Sequence, residues 1–187
     1  MKLLIIDNYD SFTFNLKHIC EPYVSFVDVI RNDCINIPNL IKYDKIILSP
    51  GPGLPKNAGC TIDVIKYYAD KIPILGICLG AQAIAVSYGL DLYNLQKVMH
   101  GKKSDVRILD KNDIIYRDIN HTLTVGRYHS WAIAINQENQ FKITAVDHEN
   151  TVMSFTHKVY PLIGIQYHPE SILTNYGNMI LKNWITS

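Results

Sequence analysis

The chain has 187 residues, enough for one domain with a substantial core, and we expect a single domain over residues 1–187. With 19% charged residues, a net charge of +1 and no block of like charges, neither nucleic acid nor a membrane is an expected partner. No apolar run is as long as a membrane span, and Asp7 comes too early for a signal peptide. The four cysteines lack paired or zinc-type spacing, so we expect free thiols, a cytoplasmic protein, and no metal or cofactor.

The first half of the chain alternates strand-like and helix-like segments, as doubly wound parallel sheets do. Continuous apolar runs suit parallel strands that are covered on both faces, and they predict strands at residues 2–6, 24–30, 45–48 and 74–77. A first helix, with Phe12, Leu16 and Ile19 on its apolar face, is predicted to run from a cap at Asp10 or Ser11 to about residue 21. Further helices are predicted at about 61–70, with residues 62, 65, 68 and 69 inward, and at 81–87 before a stop at residue 89.

The second half is built differently, from short β-like segments that turn sequences separate, as at residues 110–113 and 136–139. These strands are predicted at residues 103–109, 123–128, 142–146, 151–156 and 162–167, and a last helix at about 176–185. We therefore expect an α/β fold, a mostly parallel doubly wound sheet with an added antiparallel β layer.

Cys78 lies where the predicted fourth strand turns directly into a helix, between Gly76 and Gly80. Small neighbours let the backbone pass through a tight turn, as in a nucleophile elbow. The helix that follows directs free N–H groups and its positive dipole end at the sulfur, which favours a thiolate. A buried structural cysteine is the alternative for this stretch alone.

The segment Ser49-Pro-Gly-Pro-Gly-Leu-Pro55 follows the third strand, at the sheet edge where ligands of open α/β sheets bind. Its prolines restrict φ and its glycines permit backbone conformations that side chains would block, which predicts a rigid loop that presents bare N–H groups. An ordinary strand-to-helix connection is an equal alternative from the pattern.

A cysteine nucleophile needs a base, and the base needs an orienting group. Of the seven histidines, His168 ends an apolar strand and has Glu170 two positions on, where a carboxylate can reach the imidazole and set its tautomer. A strand-end loop with a solvated glutamate is the plain alternative, and His129 is the second candidate base. The remaining histidines have ordinary structural explanations: His18, His100, His121, His148 and His157.

The combination of Cys78-Leu-Gly-Ala-Gln82 with His168-Pro-Glu170 resembles the triad-type glutamine amidotransferases. Other segments resemble one branch of them, the glutamine amidotransferase subunit of anthranilate synthase and of aminodeoxychorismate synthase. The match runs from the first strand to the last helix. The segments are Asp7-Asn-Tyr-Asp-Ser-Phe12, Ser49-Pro-Gly-Pro-Gly53, His100-Gly-Lys102, Tyr128-His-Ser130 and Gly164-Ile-Gln-Tyr-His-Pro-Glu-Ser-Ile-Leu-Thr174.

The resemblance implies a flavodoxin-like fold of the class I amidotransferase type and hydrolysis of L-glutamine through a thioester on Cys78, with His168 and Glu170 completing a triad. It implies that the backbone N–H groups of Gly53 and Leu79 form an oxyanion hole. The side chain of Gln82, one helical turn after Cys78, is placed to face the same pocket. The implied substrate-binding residues are Gly51, Pro52, Gly53, Gln82, Ser130 and Trp131.

Two residues depart from the family pattern, Ala81 where histidine is frequent and Trp131 where leucine is usual. We expect activity to survive both, with altered packing or pH response from Ala81 and a narrower pocket from Trp131. Neither residue belongs to the implied triad.

Ammonia released to water would be protonated and lost as a nucleophile, and the resemblance implies a separate large chorismate-binding synthase subunit that receives it. The polar loops at residues 7–11 and 100–104 are the predicted docking segments, with ordinary turns as the alternative. The product, anthranilate, aminodeoxychorismate or both, stays open. Other readings are a glutaminase subunit of another synthetase, such as GMP synthetase, and an inactive paralogue that acts as a binding or regulatory module.

Overall fold

The computed structural model describes residues 1–119, 122–134 and 140–187. Its strands are β1 (Lys2–Asp7), β2 (Phe26–Arg31), β3 (Lys45–Leu48), β4 (Ile74–Ile77), β5 (Asp91–Asn94), β6 (Lys102–Ile108), β7 (Thr122–Arg127), β8 (Trp131–Ala134), β9 (Phe141–Asp147), β10 (Val152–His157) and β11 (Leu162–Ile165). Its α-helices are α1 (Thr13–Cys20), α2 (Thr61–Tyr68), α3 (Leu79–Ser87) and α4 (Gly177–Ile185).

One nine-stranded sheet forms the centre of the fold, in the order β2-β1-β3-β4-β11-β10-β9-β6-β7. The strands from β2 to β11 in this order run parallel, and those beyond β11 pair antiparallel. The predicted fold class is therefore confirmed, with most of the antiparallel strands continuing the main sheet. A separate two-stranded antiparallel sheet, β5 with β8, was not predicted.

Helices cover the two faces of the parallel strands because successive side chains of a strand point to opposite sides. In β1, Leu3 and Ile5 belong to a core cluster with residues of α1 and α4. Leu4 and Ile6 belong to a second cluster with residues of α2 and α3. The strand is buried on both faces, which explains its unbroken apolar sequence.

The start of α1 differs from its prediction. The helix begins at Thr13, whose hydroxyl donates to the Asp7 carboxylate at 2.8 Å, while the N–H of Phe12 donates to the Asp10 carboxylate at 2.8 Å. Ser11 does not cap it. The side chain of Phe12 is 47% exposed, so this residue was wrongly assigned to the apolar face of the helix.

The other helices deviate less. α3 begins at Leu79 rather than at residue 81, because the helix starts directly behind the turn at Cys78. Its predicted stop is confirmed, since Gly89 has a φ of +78°, the left-handed conformation that glycine tolerates. In α2 the deeply buried residue is Val64, while Ile62 is only half-buried.

In the second half, each predicted strand occurs within one or two residues of its expected bounds. The last of them, β11, ends at Ile165, so that Gln166 and His168 lie beyond the strand. His121 and the predicted turn at 136–139 lie outside the described residues. Across the described ranges, no helix is both long and apolar enough to cross a membrane. The same part of the chain contains no group of three or more acidic, histidine or cysteine side chains that could hold a metal ion.

Candidate active site

The backbone at Cys78 adopts a conformation that residues other than glycine rarely adopt. Its φ is +50° and its ψ is −102°, between the end of β4 and the first residue of α3. The turn is possible because its neighbours lack side chains: a Cβ on Gly80 would lie 2.3 Å from the carbonyl oxygen of Leu48. Cys78 donates its N–H to the carbonyl of Ile165 at 2.7 Å, which ties the turn to β11. The geometry is that of a nucleophile elbow.

His168 and Glu170 form a buried pair, with Nδ1 of the imidazole and Oε1 of the carboxylate 2.6 Å apart. Only 4% of His168 and 7% of Glu170 is exposed. The backbone N–H of His168 donates to the carbonyl of Gly126 at 3.1 Å, and its own carbonyl accepts from the hydroxyl of Thr174 at 2.5 Å. Because a carboxylate accepts hydrogen bonds, Nδ1 carries the proton that faces Glu170. Nε2 is then the nitrogen that can exchange a proton with a reacting group.

Cys78 and His168 line the same cavity, which has a volume of about 300 Å³. Ninety positions separate them in the chain (168 − 78), and the adjacency of β4 and β11 brings them together. The cavity is bounded on other sides by Gly51 and Pro52 and by the loop after β1. Nε2 of His168 has no hydrogen-bond partner in the described part of the chain.

Burial lowers the pKa of the His168 imidazole, but its interactions with Cys78 and with Glu170 outweigh burial and raise the pKa well above the ordinary histidine value. Cys78 contributes most to this rise in pKa, and Glu170 contributes next. An imidazole that holds a proton more firmly than usual favours an imidazolium beside a thiolate. The site can therefore supply a nucleophile together with a proton donor.

Comparisons with known proteins agree with this geometry. The family model described as Glutamine amidotransferase class-I matches residues 4–187. The chain belongs to the class I glutamine amidotransferases.

Two curated relatives of this amidotransferase are similar over nearly their whole length. Aminodeoxychorismate synthase component 2 of Escherichia coli (strain K12) is 41% identical, and the match covers 98% of each chain. Anthranilate synthase component 2 of Pyropia yezoensis is also 41% identical, again over 98% of each chain. The crystal structure of a putative GMP synthase subunit from Thermoplasma acidophilum superposes with a TM-score of 0.89 at 28% identity, covering 100% of this chain and 92% of the other.

The second histidine candidate, His129, is not available as a base in the amidotransferase structure. Its Nε2 accepts a hydrogen bond from Nε of Arg127 at 3.1 Å, and its Nδ1 is 2.8 Å from the carbonyl oxygen of Trp131. Burial, followed by the positive charge of Arg127, lowers the pKa of His129 to about 4. A neutral ring with both nitrogens engaged has no lone pair for a cysteine proton.

The other predicted substrate residues, Gly53, Gln82, Ser130 and Trp131, do not line the cavity. Nε2 of Gln82, predicted to face the pocket of Cys78, donates to the carbonyl oxygen of Trp131 at 2.9 Å. Strand β8 carries Trp131, and the preceding carbonyl, of Ser130, accepts the N–H of Leu95 at 2.8 Å. The unpredicted β5–β8 sheet thus holds Ser130 and Trp131 in place.

The two predicted oxyanion donors are on different elements: Leu79 follows Cys78 directly, whereas Gly53 is in the loop after β3 and does not line the cavity. Leu79 is the first residue of α3, where N–H groups lack partners within the helix. Gly53 is exposed in its loop, with a φ of +79°. The loop is anchored by Asn8, whose side-chain nitrogen donates to the carbonyl of Ser49 at 2.8 Å. Asn8 lies in the predicted docking segment 7–11, and its buried side chain stabilises the loop that begins at Ser49.

Gln166 is a site residue that the sequence analysis missed. It is buried, and its Nε2 is 3.7 Å from the sulfur of Cys78. The available signal was an amide side chain at the end of the apolar run from Leu162, two positions before His168. Ala81, by contrast, is fully buried in α3, so the departure from histidine changes the packing of the helix on the sheet.

Proposed function

We propose that this class I amidotransferase is the glutaminase subunit, component 2, of a synthase that makes anthranilate, aminodeoxychorismate or both. One observation carries the proposal: Cys78, on a strained turn at a helix N-terminus, shares a cavity with His168, which is paired with the buried Glu170. The full-length relatives named above suggest the pathway. Because both are 41% identical to this chain, they do not distinguish anthranilate from aminodeoxychorismate as the product.

In the first half of the reaction, the Cys78 thiolate attacks the side-chain amide carbon of L-glutamine, and the C–S bond forms. The thiol proton resides on Nε2 of His168, opposite the nitrogen that Glu170 holds. The tetrahedral intermediate collapses as the C–N bond breaks, and His168 gives the proton to the departing ammonia. A γ-glutamyl thioester remains on Cys78.

In the second half, water attacks the thioester carbonyl and His168 accepts its proton. The C–S bond breaks, glutamate leaves, and the proton returns to the sulfur, so the sum is glutamine plus water giving glutamate plus ammonia. Both tetrahedral intermediates carry an oxyanion, for which the N–H groups of Gly53 and Leu79 are the proposed donors. Loss of one such donor costs about 3 kcal/mol in comparable enzymes.

We assign glutamine binding to the loop glycines and to the segment beside Gln82. Gly51 and Pro52 line the cavity, and the missing side chain of Gly51 lets the loop pack closely on Asn8, since a Cβ there would lie 2.4 Å from the carbonyl oxygen of Asn8. Gln82, Ser130 and Trp131 form the proposed opposite side. The half-buried Trp131 ring, in place of a smaller leucine, is expected to narrow this side of the pocket.

The proposed partner is a large chorismate-binding synthase subunit that receives the ammonia, because the relatives named above are the second components of such synthases. The loops at 7–11 and 100–104 remain the proposed docking segments, and Tyr9 and His100 from them line the cavity. We also propose that residues 1–187 act as one domain. Its four free cysteines suit the reducing conditions of a cytoplasm.

The second candidate function is the glutaminase subunit of a GMP synthetase. It is favoured by the structural similarity to the putative GMP synthase subunit from Thermoplasma acidophilum. The two candidates share the glutaminase chemistry and differ in the acceptor of ammonia.

One experiment separates the candidates. The chain is tagged and purified from its own cell, and the large subunit that accompanies it is identified by mass spectrometry. The complex is then assayed with chorismate and either L-glutamine or ammonium chloride. Glutamine-dependent formation of anthranilate or aminodeoxychorismate supports the proposal. A bound GMP synthetase, or partner binding without glutamine turnover, contradicts it.

A further inference from the structure

The side chain of Gln166 connects the nucleophile to a second buried amide. In the parallel pairing of β4 with β11, Ile77 lies opposite Ile165, so Cys78 and Gln166 leave the sheet side by side. Nε2 of Gln166 donates to the sulfur of Cys78 at 3.7 Å, and its Oε1 accepts from Nε2 of Gln82 at 3.2 Å. Only 1% of Gln166 is exposed, so water does not compete for these contacts.

The direction of these hydrogen bonds is set by a group that can only accept. Nε2 of Gln82 faces the carbonyl oxygen of Trp131 at 2.9 Å, which identifies it as the amide nitrogen. The same nitrogen faces Gln166, whose nearer atom must therefore be its oxygen. The nitrogen of Gln166 is left for Cys78, and the sulfur receives an N–H rather than a carbonyl lone pair.

The carbonyl of Trp131 is held in turn by His129 and Arg127. A guanidinium only donates, so the Nε of Arg127 makes Nε2 of His129 the acceptor and leaves the proton on Nδ1. That proton points at the carbonyl of Trp131, 2.8 Å from Nδ1. Arg127 itself is fixed by Asp147, with Nη1 and Oδ2 2.5 Å apart and both side chains fully buried.

We propose that Gln166 is a further catalytic residue of this amidotransferase, which donates a hydrogen bond to the Cys78 sulfur and thereby stabilises and orients the thiolate. Gln82, His129 and Arg127 are positioning residues that keep the Gln166 amide in the required orientation. The inference rests on the proposed function in taking Cys78 as the nucleophile. Since Gln82 bonds both Gln166 and the backbone of Trp131, two buried amides link the proposed substrate segment to the sulfur.

The physical reason is that a donor interacts more strongly with a thiolate than with a thiol, and more strongly still where water is absent. The elbow alone does not orient the sulfur, because the χ1 of a cysteine at a tight turn can rotate among staggered positions. A fixed donor on one side of the sulfur selects among them. His168 lines the cavity of Cys78, and within the described part of the chain its Nε2 has no hydrogen-bond partner, so this nitrogen can exchange protons.

The test is a pair of substitutions, Gln166→Leu and Gln166→Glu, with Asn183→Leu as a matched control. Leucine keeps the approximate volume of the side chain and removes the donor, while glutamate replaces the N–H with an oxygen. Asn183 is another buried amide, in α4, which donates to the carbonyl of Arg117 at 2.7 Å and does not line the cavity of Cys78.

Two quantities are measured. The first is the rate at which iodoacetamide labels Cys78 in the free chain as a function of pH, resolved from the other cysteines by peptide mass spectrometry. The second is kcat and KM for glutamine in the complex with the copurified synthase subunit, beside the rate with ammonium chloride. Melting temperatures of all variants are recorded in parallel.

We expect Gln166→Leu to slow labelling at neutral pH about tenfold and to move the midpoint of the labelling profile up by about one pH unit. Gln166→Glu should shift the midpoint at least as far, because its carboxylate repels a thiolate. In the complex, kcat for glutamine should fall about tenfold with less than about a threefold change in KM, and the ammonium-dependent rate should equal that of the parent. Asn183→Leu should lower the melting temperature and leave the labelling profile unchanged.

An unchanged labelling midpoint in Gln166→Leu and Gln166→Glu, with losses in melting temperature alone, would overturn the proposal and leave Gln166 a packing residue. If Gln166→Leu does not fold, Gln166→Glu decides by the same readout. A parent complex that does not use glutamine would refute the proposed function. The labelling of Cys78 in the free chain would still decide the role of Gln166.

Discussion

Nε of Arg127 donates a hydrogen bond to Nε2 of His129 inside the protein, over a distance of 3.1 Å. The contact occupies the lone pair that a general base would need. It also places a positive charge beside a ring that burial already keeps neutral. His168, whose Nε2 has no partner in the described part of the chain, is left to serve as the base.

The neutral state of His129 predicts a pH dependence of stability. Burial and Arg127 lower its pKa to about 4, against about 6.5 in the unfolded chain. A depressed histidine pKa gives stability that is present above about pH 6.5 and is lost as the pH falls to about 4, because the unfolded chain binds the proton first. Replacing His129 with Gln, which keeps an acceptor for Arg127, should therefore reduce the loss of unfolding free energy over this window by up to about 3 kcal/mol. Urea unfolding of both proteins across this window measures their unfolding free energies. An equal loss of free energy in the two proteins would contradict the assignment of His129 as a neutral residue.

Replacing Cys78 with Ala should abolish synthesis from glutamine in the complex and leave synthesis from ammonium salts at the parental rate. The sulfur forms the covalent intermediate, whereas ammonia from solution bypasses it. Product formation is measured with chorismate and each nitrogen source. Equal loss of both activities would show that Cys78 has a structural role.

The backbone at Cys78 makes a separate prediction for the two smallest substitutions. Because φ is +50° and ψ is −102°, any residue with a Cβ is strained there, and glycine is not. Cys78→Gly should be more stable than Cys78→Ala by about 1 kcal/mol, because only the alanine variant keeps a Cβ in the strained conformation. Denaturant unfolding of the two inactive variants tests it, and a more stable alanine variant would show that the turn relaxes.

His168 and Glu170 should differ in the size of their effects. His168→Ala removes the group that moves protons and should lower kcat for glutamine by about 100-fold or more. Glu170→Gln keeps an oxygen that can accept from Nδ1 and removes only the charge that stabilises the imidazolium, so a loss of about tenfold is expected. Steady-state kinetics of the complex measure both. The assignment of the base would be wrong if His168→Ala retained the parental kcat.

Gly80→Ala should destabilise the fold at the elbow. The added Cβ would lie 2.3 Å from the backbone oxygen of Leu48, and neither β3 nor α3 can move without disturbing the sheet. A loss of about 3 kcal/mol or more in unfolding free energy is expected. Ser87→Ala, at the end of the same helix, is the control and should change stability by less than about 1 kcal/mol. A Gly80→Ala protein with parental stability would mean that the close approach of helix and strand is not required.

Much of the fold could be predicted because its signals are local. The apolar residues of β4, and those of β3 after Lys45, predicted the bounds of both strands correctly, since a strand buried on both faces carries mostly apolar side chains. The turn at Cys78 was predictable from its flanking glycines, and Gly89 from its position after an apolar helix. The β5–β8 sheet was missed because two four-residue strands with little burial in β5 lack a detectable pattern.

The sequence by itself determined the chemical inventory of this protein: a cysteine at a glycine-flanked turn, a histidine with a glutamate two positions on, and the alternation that makes a parallel sheet. Only the tertiary structure decided which groups meet. The parallel pairing of β4 and β11 places Cys78 beside Gln166, and folding buries Arg127 with Asp147, charges that in the sequence look like surface residues. The physical reason is that the identity of a side chain is a local property, whereas its hydrogen-bond partners, tautomer and burial depend on chain segments that are brought together from far apart.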